Sequence, residues 1–125
     1  MKVKEKVMEI IKTKFDGFCK GVSRAVDAAL NAGKGSYVLG NLVHNETVMQ
    51  KLKQKGLITV TDVEEIPDNS KVVIRAHGVS EKVYAKLKAK GCEIVDCTCP
   101  FVQKIHEIVS EYSSDGFHIV VFGAA

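Results

Sequence analysis

The apolar residues of this chain alternate between two spacings, and this alternation predicts the order of its secondary structure. Short apolar runs predict strands at residues 7–13, 36–41, 57–60, 71–76, 92–98 and 117–123. Between these runs, apolar residues recur every three or four positions, as they do on one face of a helix. Strands that alternate with helices are typical of an α/β domain, in which a mostly parallel sheet is covered on both faces.

The boundaries of the helices are predicted from glycine, proline and capping residues. Glycine ends a helix readily, asparagine or serine caps its start, and proline suits its first position. These signals predict helices at Val22–Leu30 before Gly33 and Gly35, from Asn45 to Gly56, from Ser80 to Gly91, and from Pro100 along an apolar stripe of Phe101, Ile105, Ile108, Val109 and Tyr112.

Length and composition predict one globular domain over residues 1–125, with residues 1–7 as an N-terminal extension of no assigned role. The chain is 46% hydrophobic and 26% charged, with a net charge of +3. No block of like charge indicates a nucleic-acid or membrane partner. The start MKVKEKVMEI is too polar for a signal peptide, and no apolar run is long enough to span a membrane. We therefore expect a cytoplasmic protein, in which clustered thiols indicate metal or redox chemistry more often than disulfides.

Cysteine and histidine side chains follow several of the predicted strands. Cys19 lies in the turn after the first strand, His44 follows the second, His77 follows the run KVVIRA, and Cys97 and Cys99 end the run CEIVDCT. The carboxyl ends of parallel strands lie at one edge of a sheet, where ligands of open α/β sheets bind. These residues are therefore expected to converge on one edge.

The residue types at this edge predict anion binding and soft-metal binding. Histidines near helix N-termini suit a phosphate group, and thiolates select zinc, copper(I) or iron–sulfur clusters. Cys97 and Cys99 are too close in sequence for a zinc ribbon, and two separated cysteines cannot complete a tetrahedral site. Outside the predicted edge, Cys92 is expected to be a small buried apolar residue, and His106 and His118 are expected to be surface or core-edge residues.

Four motifs, in this order, resemble those of the LytB/IspH family: GFCKGVSRAV, LVHNETV, IRAHGVS and VDCTCPFVQKIH. The resemblance covers the chain from about Met8 onward. It implies 4-hydroxy-3-methylbut-2-enyl diphosphate reductase activity, the last step of the non-mevalonate isoprenoid pathway. It also implies that the chain corresponds to the first of three α/β domains around a central 4Fe–4S cluster.

The same resemblance implies roles for individual residues. Cys19 and Cys99 would be cluster ligands, and His44 and His77 would bind the substrate diphosphate. Electrons would come from ferredoxin or flavodoxin. The family's third cysteine, third histidine and proton-relaying glutamate would lie after the last residue of this sequence. No catalytic residue is therefore predicted within it, and the chain alone is expected to be inactive.

Two positions depart from the family pattern, and two other classes of function stay open. Cys97 stands where a small residue such as alanine is usual, and Lys20 stands where an apolar or small residue is usual. One alternative is a non-catalytic α/β domain that binds an anion or a metal. The other is a redox protein that uses Cys97 and Cys99 as a thiol pair, although a disulfide between them would be strained. The oligomeric state is not predicted, but an apolar last strand would be an edge prone to self-association.

Overall fold

The computed structural model describes residue 11 and residues 18–122. The predicted strand at 7–13 therefore lies outside the described residues, apart from Ile11, which is in no regular element. The elements follow one another as α1 (Lys20–Ala32), β1 (Tyr37–Leu39), α2 (Glu46–Gln54), β2 (Ile58–Val60), a 3-10 turn (Val63–Glu65), β3 (Lys71–Ile74), α3 (Glu81–Ala89), β4 (Glu93–Asp96) and α4 (Pro100–Ser114).

The four strands form one parallel sheet in the order β2-β1-β3-β4. Val38 of β1 lies opposite Val73 of β3, and Val73 lies opposite Val95 of β4. The predicted α/β class and parallel sheet are confirmed. Because all four strands run in the same direction, the loops that follow them leave from one edge, which we call the carboxyl edge.

Helix boundaries agree with the predicted stop and start signals. Asn45 caps α2, since its side-chain oxygen accepts a hydrogen bond of 3.1 Å from the amide of Val48. Pro100 occupies the first turn of α4, where its missing amide hydrogen costs nothing. Ser80 is the N-cap residue of α3, but its side chain makes no capping hydrogen bond.

Apolar side chains are buried on both faces of the sheet, as a sheet covered by helices requires. One cluster packs under α1 and α2 and consists of Ala25, Ala29, Val38, Leu42, Leu52, Leu57, Val73, Ala76 and Cys97. The other packs under α3 and the 3-10 turn and consists of Leu39, Val60, Val63, Ile66, Val72, Ile74 and Leu87. Adjacent residues of β3 point into opposite clusters, so this strand is buried on both sides.

The predicted last strand is wrong for residues 117–122, the part of it that the structure describes. These residues form no regular element, and Phe117, Val121 and Phe122 are 62%, 76% and 93% exposed. An apolar run becomes a strand only when a neighbouring strand accepts its backbone hydrogen bonds. Within the described sheet, β4 pairs only with β3, and no strand lies along its other side.

The apolar stripe predicted on α4 is largely exposed in the described part of the chain. Phe101 and Ile105 are 83% and 56% exposed, and Ile108 and Tyr112 are exposed as well. The helix itself forms as predicted. No described helix is both long and apolar enough to cross a membrane.

Candidate functional site

His44 and His77 are brought together at the carboxyl edge. Their ring centroids lie 6.1 Å apart, with the ring planes at 63° to each other. His44 directly precedes Asn45, the N-cap residue of α2, and His77 lies in the turn between β3 and α3. Both side chains are exposed. Two imidazoles at this spacing can donate hydrogen bonds to different oxygens of one anion.

A tight turn directs His77 outward from the end of β3. The amide of Gly78 donates a hydrogen bond of 2.9 Å to the carbonyl of Arg75, which closes the turn around His77. Gly78 has a φ of 73°, and a Cβ at this position would lie 3.1 Å from both Thr98 Cγ2 and His106 Cε1. Only glycine therefore satisfies both the backbone geometry and the packing here.

Cys99 lies beside this turn because the pairing of β4 with β3 continues past the ends of both strands. The amide of Cys97 donates to the carbonyl of Ile74 at 3.0 Å, and the amide of Cys99 donates to the carbonyl of Ala76 at 2.9 Å. Ala76 precedes His77 directly. The backbone of Cys99 is thus fixed to the residue next to one of the two histidines.

The start of α1 closes the site from the other side of Cys99. A Cβ on Gly21 would lie 3.1 Å from Cys99 Sγ and 3.2 Å from Cys99 Cβ. Gly21 is two residues after Cys19, the N-cap residue of α1. The missing side chain of Gly21 therefore lets the turn that carries Cys19 approach the Cys99 thiol.

Cys19 and Cys99 occupy the same position on two helices. Each is the N-cap residue, of α1 and of α4 respectively, with an extended backbone conformation and no capping hydrogen bond from its side chain. Both thiols are therefore free to bind a ligand. The amide groups of a helix N-terminus favour negative charge, such as that of metal-bound thiolates.

Cys97 differs from Cys99 in burial and in protonation. Its residue surface is only 3% exposed, and it packs in the cluster under α1 and α2. Burial raises the pKa of the Cys97 thiol, and the nearby positive charge of Arg24 offsets this only in part. A thiol that stays protonated and buried is a poor metal ligand. All four cysteines are free thiols, and Cys92, expected to be buried, is only half-buried, at the margin of the cluster under α3.

A hydrogen-bonded network of side chains lies under the β4–α4 junction. Asp96 Oδ1 accepts from the amide of Thr98 at 3.0 Å and from its hydroxyl at 2.6 Å. Asp96 Oδ2 accepts from the Tyr84 hydroxyl at 2.8 Å. Burial raises the pKa of Tyr84, which keeps this hydroxyl protonated and able to donate. The network fixes Thr98, the residue directly before Cys99.

The Asp96 carboxylate is expected to make folding depend on pH. Burial raises the pKa of Asp96, but the hydrogen bonds from Thr98 and Tyr84 and the charge of Arg24 outweigh it, so the net pKa is lowered. Such a group stabilises the fold above its ordinary pKa of about 4, and this stabilisation is lost as the pH falls through the lowered value.

We expect the Asp96→Asn variant to lose this pH dependence. Urea unfolding at a series of pH values would measure it for both proteins. At neutral pH, the unmodified protein should have a larger free energy of unfolding than Asp96→Asn. This difference should shrink as the pH falls into the acid range. Parallel curves over the whole range would show that Asp96 has no such role.

A groove lies beside this network rather than at the histidines. Its volume is about 840 Å³, and Tyr84, Asp96, Thr98 and His106 are among its lining residues. None of the predicted site residues lines it. His106, expected to be a surface or core-edge residue, is exposed, and its ring lies beside the turn at Gly78.

The donor set at the carboxyl edge fits part of a metal site. Thiolates are the ligands of iron–sulfur clusters, and Gly21 lets the start of α1, which carries Cys19, pack against the Cys99 sulfur. Across residue 11 and residues 18–122, however, no three His, Cys, Asp or Glu side chains are grouped so that they could hold a metal ion. The described residues can thus supply two thiolate ligands and not a complete set.

Comparison with known proteins places this geometry in a family. The family model described as LytB protein matches residues 10–125. A 4-hydroxy-3-methylbut-2-enyl diphosphate reductase from Clostridioides difficile is 45% identical over 120 residues, which cover 93% of this chain and 43% of that protein. The chain belongs to the LytB protein family.

Two solved structures share the fold of this LytB family chain. The E-1-hydroxy-2-methyl-but-2-enyl-4-diphosphate reductase from Plasmodium falciparum matches with a TM-score of 0.77 and 34% identity, covering 81% of this chain and 33% of that one. A second structure, described as (E)-4-hydroxy-3-methyl-but-2-enyl diphosphate reductase, the terminal enzyme of the non-mevalonate pathway, has a TM-score of 0.73 and 34% identity. That match covers 86% of this chain and 40% of the other. The chain thus spans less than half the length of the relatives it matches.

Membership of the LytB family confirms the predicted resemblance, whereas the roles of single residues stay predictions. The structure places Cys19, Cys99, His44 and His77 around the carboxyl edge, as the sequence predicted. The expectation that Cys97 joins them there is wrong, because Cys97 is buried in the cluster under α1 and α2. Lys20 is exposed in the first turn of α1.

Two arginines at or near this edge were not predicted. Arg24 Nη2 donates to the carbonyl of Thr98 at 2.9 Å. Arg75 directly follows β3, and a Cβ on Gly40 would lie 2.8 Å from its Nη1. Arg75 Nε is buried and has no hydrogen-bond partner among the residues that the structure describes. Both arginines fall inside quoted motifs, GFCKGVSRAV and IRAHGVS, but only the folded backbone shows what their side chains approach.

Proposed function

We propose that this chain forms one part of the active site of a 4-hydroxy-3-methylbut-2-enyl diphosphate reductase, with a thiolate side and an anion side. The observation that supports this most is the arrangement of two histidines and two N-cap cysteines around one sheet edge. Ala76 links the two sides, since its carbonyl bonds the amide of Cys99 and its neighbour is His77. A cytoplasmic location remains a prediction.

On the anion side, His44 and His77 would bind the substrate diphosphate. Both rings are exposed, and at 6.1 Å between centroids they can bond separate phosphate oxygens. The positive charge of Arg75 lies in the same loop as His77 and favours an anion there. Binding of the diphosphate would orient the far end of the substrate towards the cysteines, and such positioning is a large part of catalysis.

On the thiolate side, Cys19 and Cys99 would hold a 4Fe–4S cluster together with a third ligand from outside the described residues. When bound, such a cluster supplies electrons and an iron that acts as a Lewis acid. The protein's own contribution is to keep both thiols free at helix N-termini. The buried Cys97 would remain part of the core.

The reaction proposed is a reductive removal of the allylic hydroxyl. The substrate takes up two electrons and two protons, the carbon–oxygen bond breaks, and water leaves. The products are isopentenyl and dimethylallyl diphosphate. Ferredoxin or flavodoxin would supply the electrons. No side chain of the described residues is assigned to proton transfer.

A second candidate is a domain that binds an anion without catalysis. The absence of a grouped third metal ligand among the described residues favours it. This candidate predicts that pyrophosphate binding survives when Cys19 and Cys99 are both replaced by alanine. The reductase proposal predicts in addition that the cysteines are needed for iron.

Fusion to a relative would test the proposed activity. This chain would replace the matched 43% of the Clostridioides difficile reductase, and the fusion would be assayed anaerobically with a chemical reductant. We expect turnover in the fusion, none in the chain alone, and none in a fusion carrying Cys99→Ala. A folded, iron-loaded fusion without turnover would contradict the proposal.

A further inference from the structure

One hydrogen bond connects the helix that begins at Cys19 with the backbone next to Cys99. Arg24 Nη2 donates to the carbonyl of Thr98 at 2.9 Å, across 74 positions of sequence. This carbonyl belongs to the peptide group that joins Thr98 to Cys99. Its orientation therefore influences the direction in which the Cys99 side chain leaves the backbone.

The other polar groups of Thr98 are already bonded to groups other than α1. Its amide and hydroxyl both donate to Asp96, while the amide of Cys99 donates to Ala76. These bonds hold the junction to β4 and β3 but not to α1. In the described part of the chain, Arg24 makes the only hydrogen bond from α1 to this junction.

Gly21 and Arg24 act on the same junction from one face of α1. They are three positions apart, so they lie on adjacent turns of the helix. Gly21 allows α1 to approach the Cys99 sulfur closely, and Arg24 bonds the peptide group before it. Steric contact and hydrogen bond together fix the distance of Cys99 from the start of α1, where Cys19 lies.

We propose that Arg24 is a positioning residue that sets the distance and orientation between the thiols of Cys19 and Cys99. That this positioning helps the two thiols bind a cluster rests on the proposed function. The distance between the thiols can be measured without any cluster, so the two proposals can fail separately.

A bifunctional thiol reagent provides the test. Dibromobimane joins two nearby thiols as each displaces one bromide, and tandem mass spectrometry identifies which cysteines are linked. The rate of Cys19–Cys99 linkage would be compared in the unmodified chain, Arg24→Ala, Arg24→Lys and the control Lys51→Ala. Lys51 is an exposed cation on α2 and lies outside the site. Circular dichroism would establish that each variant is folded.

We expect Arg24→Ala to link Cys19 to Cys99 about tenfold more slowly, since small misplacements of reacting groups have effects of this size or larger. Arg24→Lys should recover part of the rate, and Lys51→Ala should match the unmodified chain. Total thiol reactivity towards a monofunctional reagent should change little, which separates positioning from general loosening. If Arg24→Ala does not fold, the linkage rate of Arg24→Lys alone is the test. A reduced rate supports the positioning role, and an unchanged rate contradicts it.

An unchanged linkage rate in a folded Arg24 variant would overturn the proposal. Equal loss of rate in Lys51→Ala would also overturn it, because the effect would then be one of general charge. Iron uptake after anaerobic reconstitution serves as a second measurement. If the unmodified chain links its thiols but its fusion to the Clostridioides difficile reductase takes up no iron, the proposed function fails while the role of Arg24 stands.

Discussion

Replacement of Cys99 by alanine in the fusion with the Clostridioides difficile reductase is expected to reduce iron retention to background after anaerobic incubation with iron and sulfide. Cys99 is the half-buried N-cap residue of α4, and its sulfur packs against the start of α1 at Gly21. With this thiolate removed, Cys19 and the third ligand cannot retain the cluster, so we expect at least about a tenfold fall in bound iron. Iron counting and visible absorption after gel filtration would measure it.

Cys97→Ala is the matched control for this experiment, since it removes a thiol two residues away. Cys97 is buried, and burial raises its pKa, so it should contribute nothing to iron binding. Its replacement leaves a small cavity and should cost about 1 kcal/mol of stability, which urea unfolding would detect. If folded Cys97→Ala loses iron while Cys99→Ala retains it, then Cys97 and not Cys99 is the iron ligand.

Replacement of either His44 or His77 by alanine is expected to weaken pyrophosphate binding by about tenfold to a hundredfold. This range corresponds to the loss of one hydrogen bond to a charged group, about 1.5–3 kcal/mol. Isothermal titration calorimetry with inorganic pyrophosphate would give the dissociation constants. Because both rings lie at one site, the double variant should lose measurable binding.

His118→Ala is the control for the histidine variants. His118 is exposed and lies in the irregular segment after α4, away from the carboxyl edge loops. Its replacement should leave the dissociation constant unchanged. Equal binding by His44→Ala, His77→Ala and the unmodified chain would mean that the anion site lies elsewhere.

The sheet could be predicted because its signals are local. The run KVVI is apolar at every position but the first, and a strand buried on both faces requires this, as β3 shows with Val72, Val73 and Ile74 all fully buried. Stop signals such as Gly33, which has a φ of 94° at the end of α1, are local as well. The run at 117–123 is equally apolar, but strand formation depends on a partner strand, which no local pattern reveals.

Strand direction allowed the general position of the site to be predicted, but not the contacts within it. Parallel strands place His44, His77 and Cys99 at one edge, and this follows from the order of elements alone. The family resemblance favoured Cys99 over Cys97, and the burial of Cys97 in the fold gives the physical reason, which the sequence does not show. Arg24 could not be predicted because its partner is a backbone carbonyl, and every residue of the chain has one.

Anomalous scattering at the iron edge, from crystals of the anaerobically reconstituted fusion soaked in pyrophosphate, tests most directly whether two thiolates and two histidines form one site at the carboxyl edge. We predict iron bonded to the sulfur atoms of Cys19 and Cys99, with pyrophosphate bonded to His44 and His77 beside it. Iron at Cys92 or Cys97, or pyrophosphate bound away from both histidines, would contradict the account.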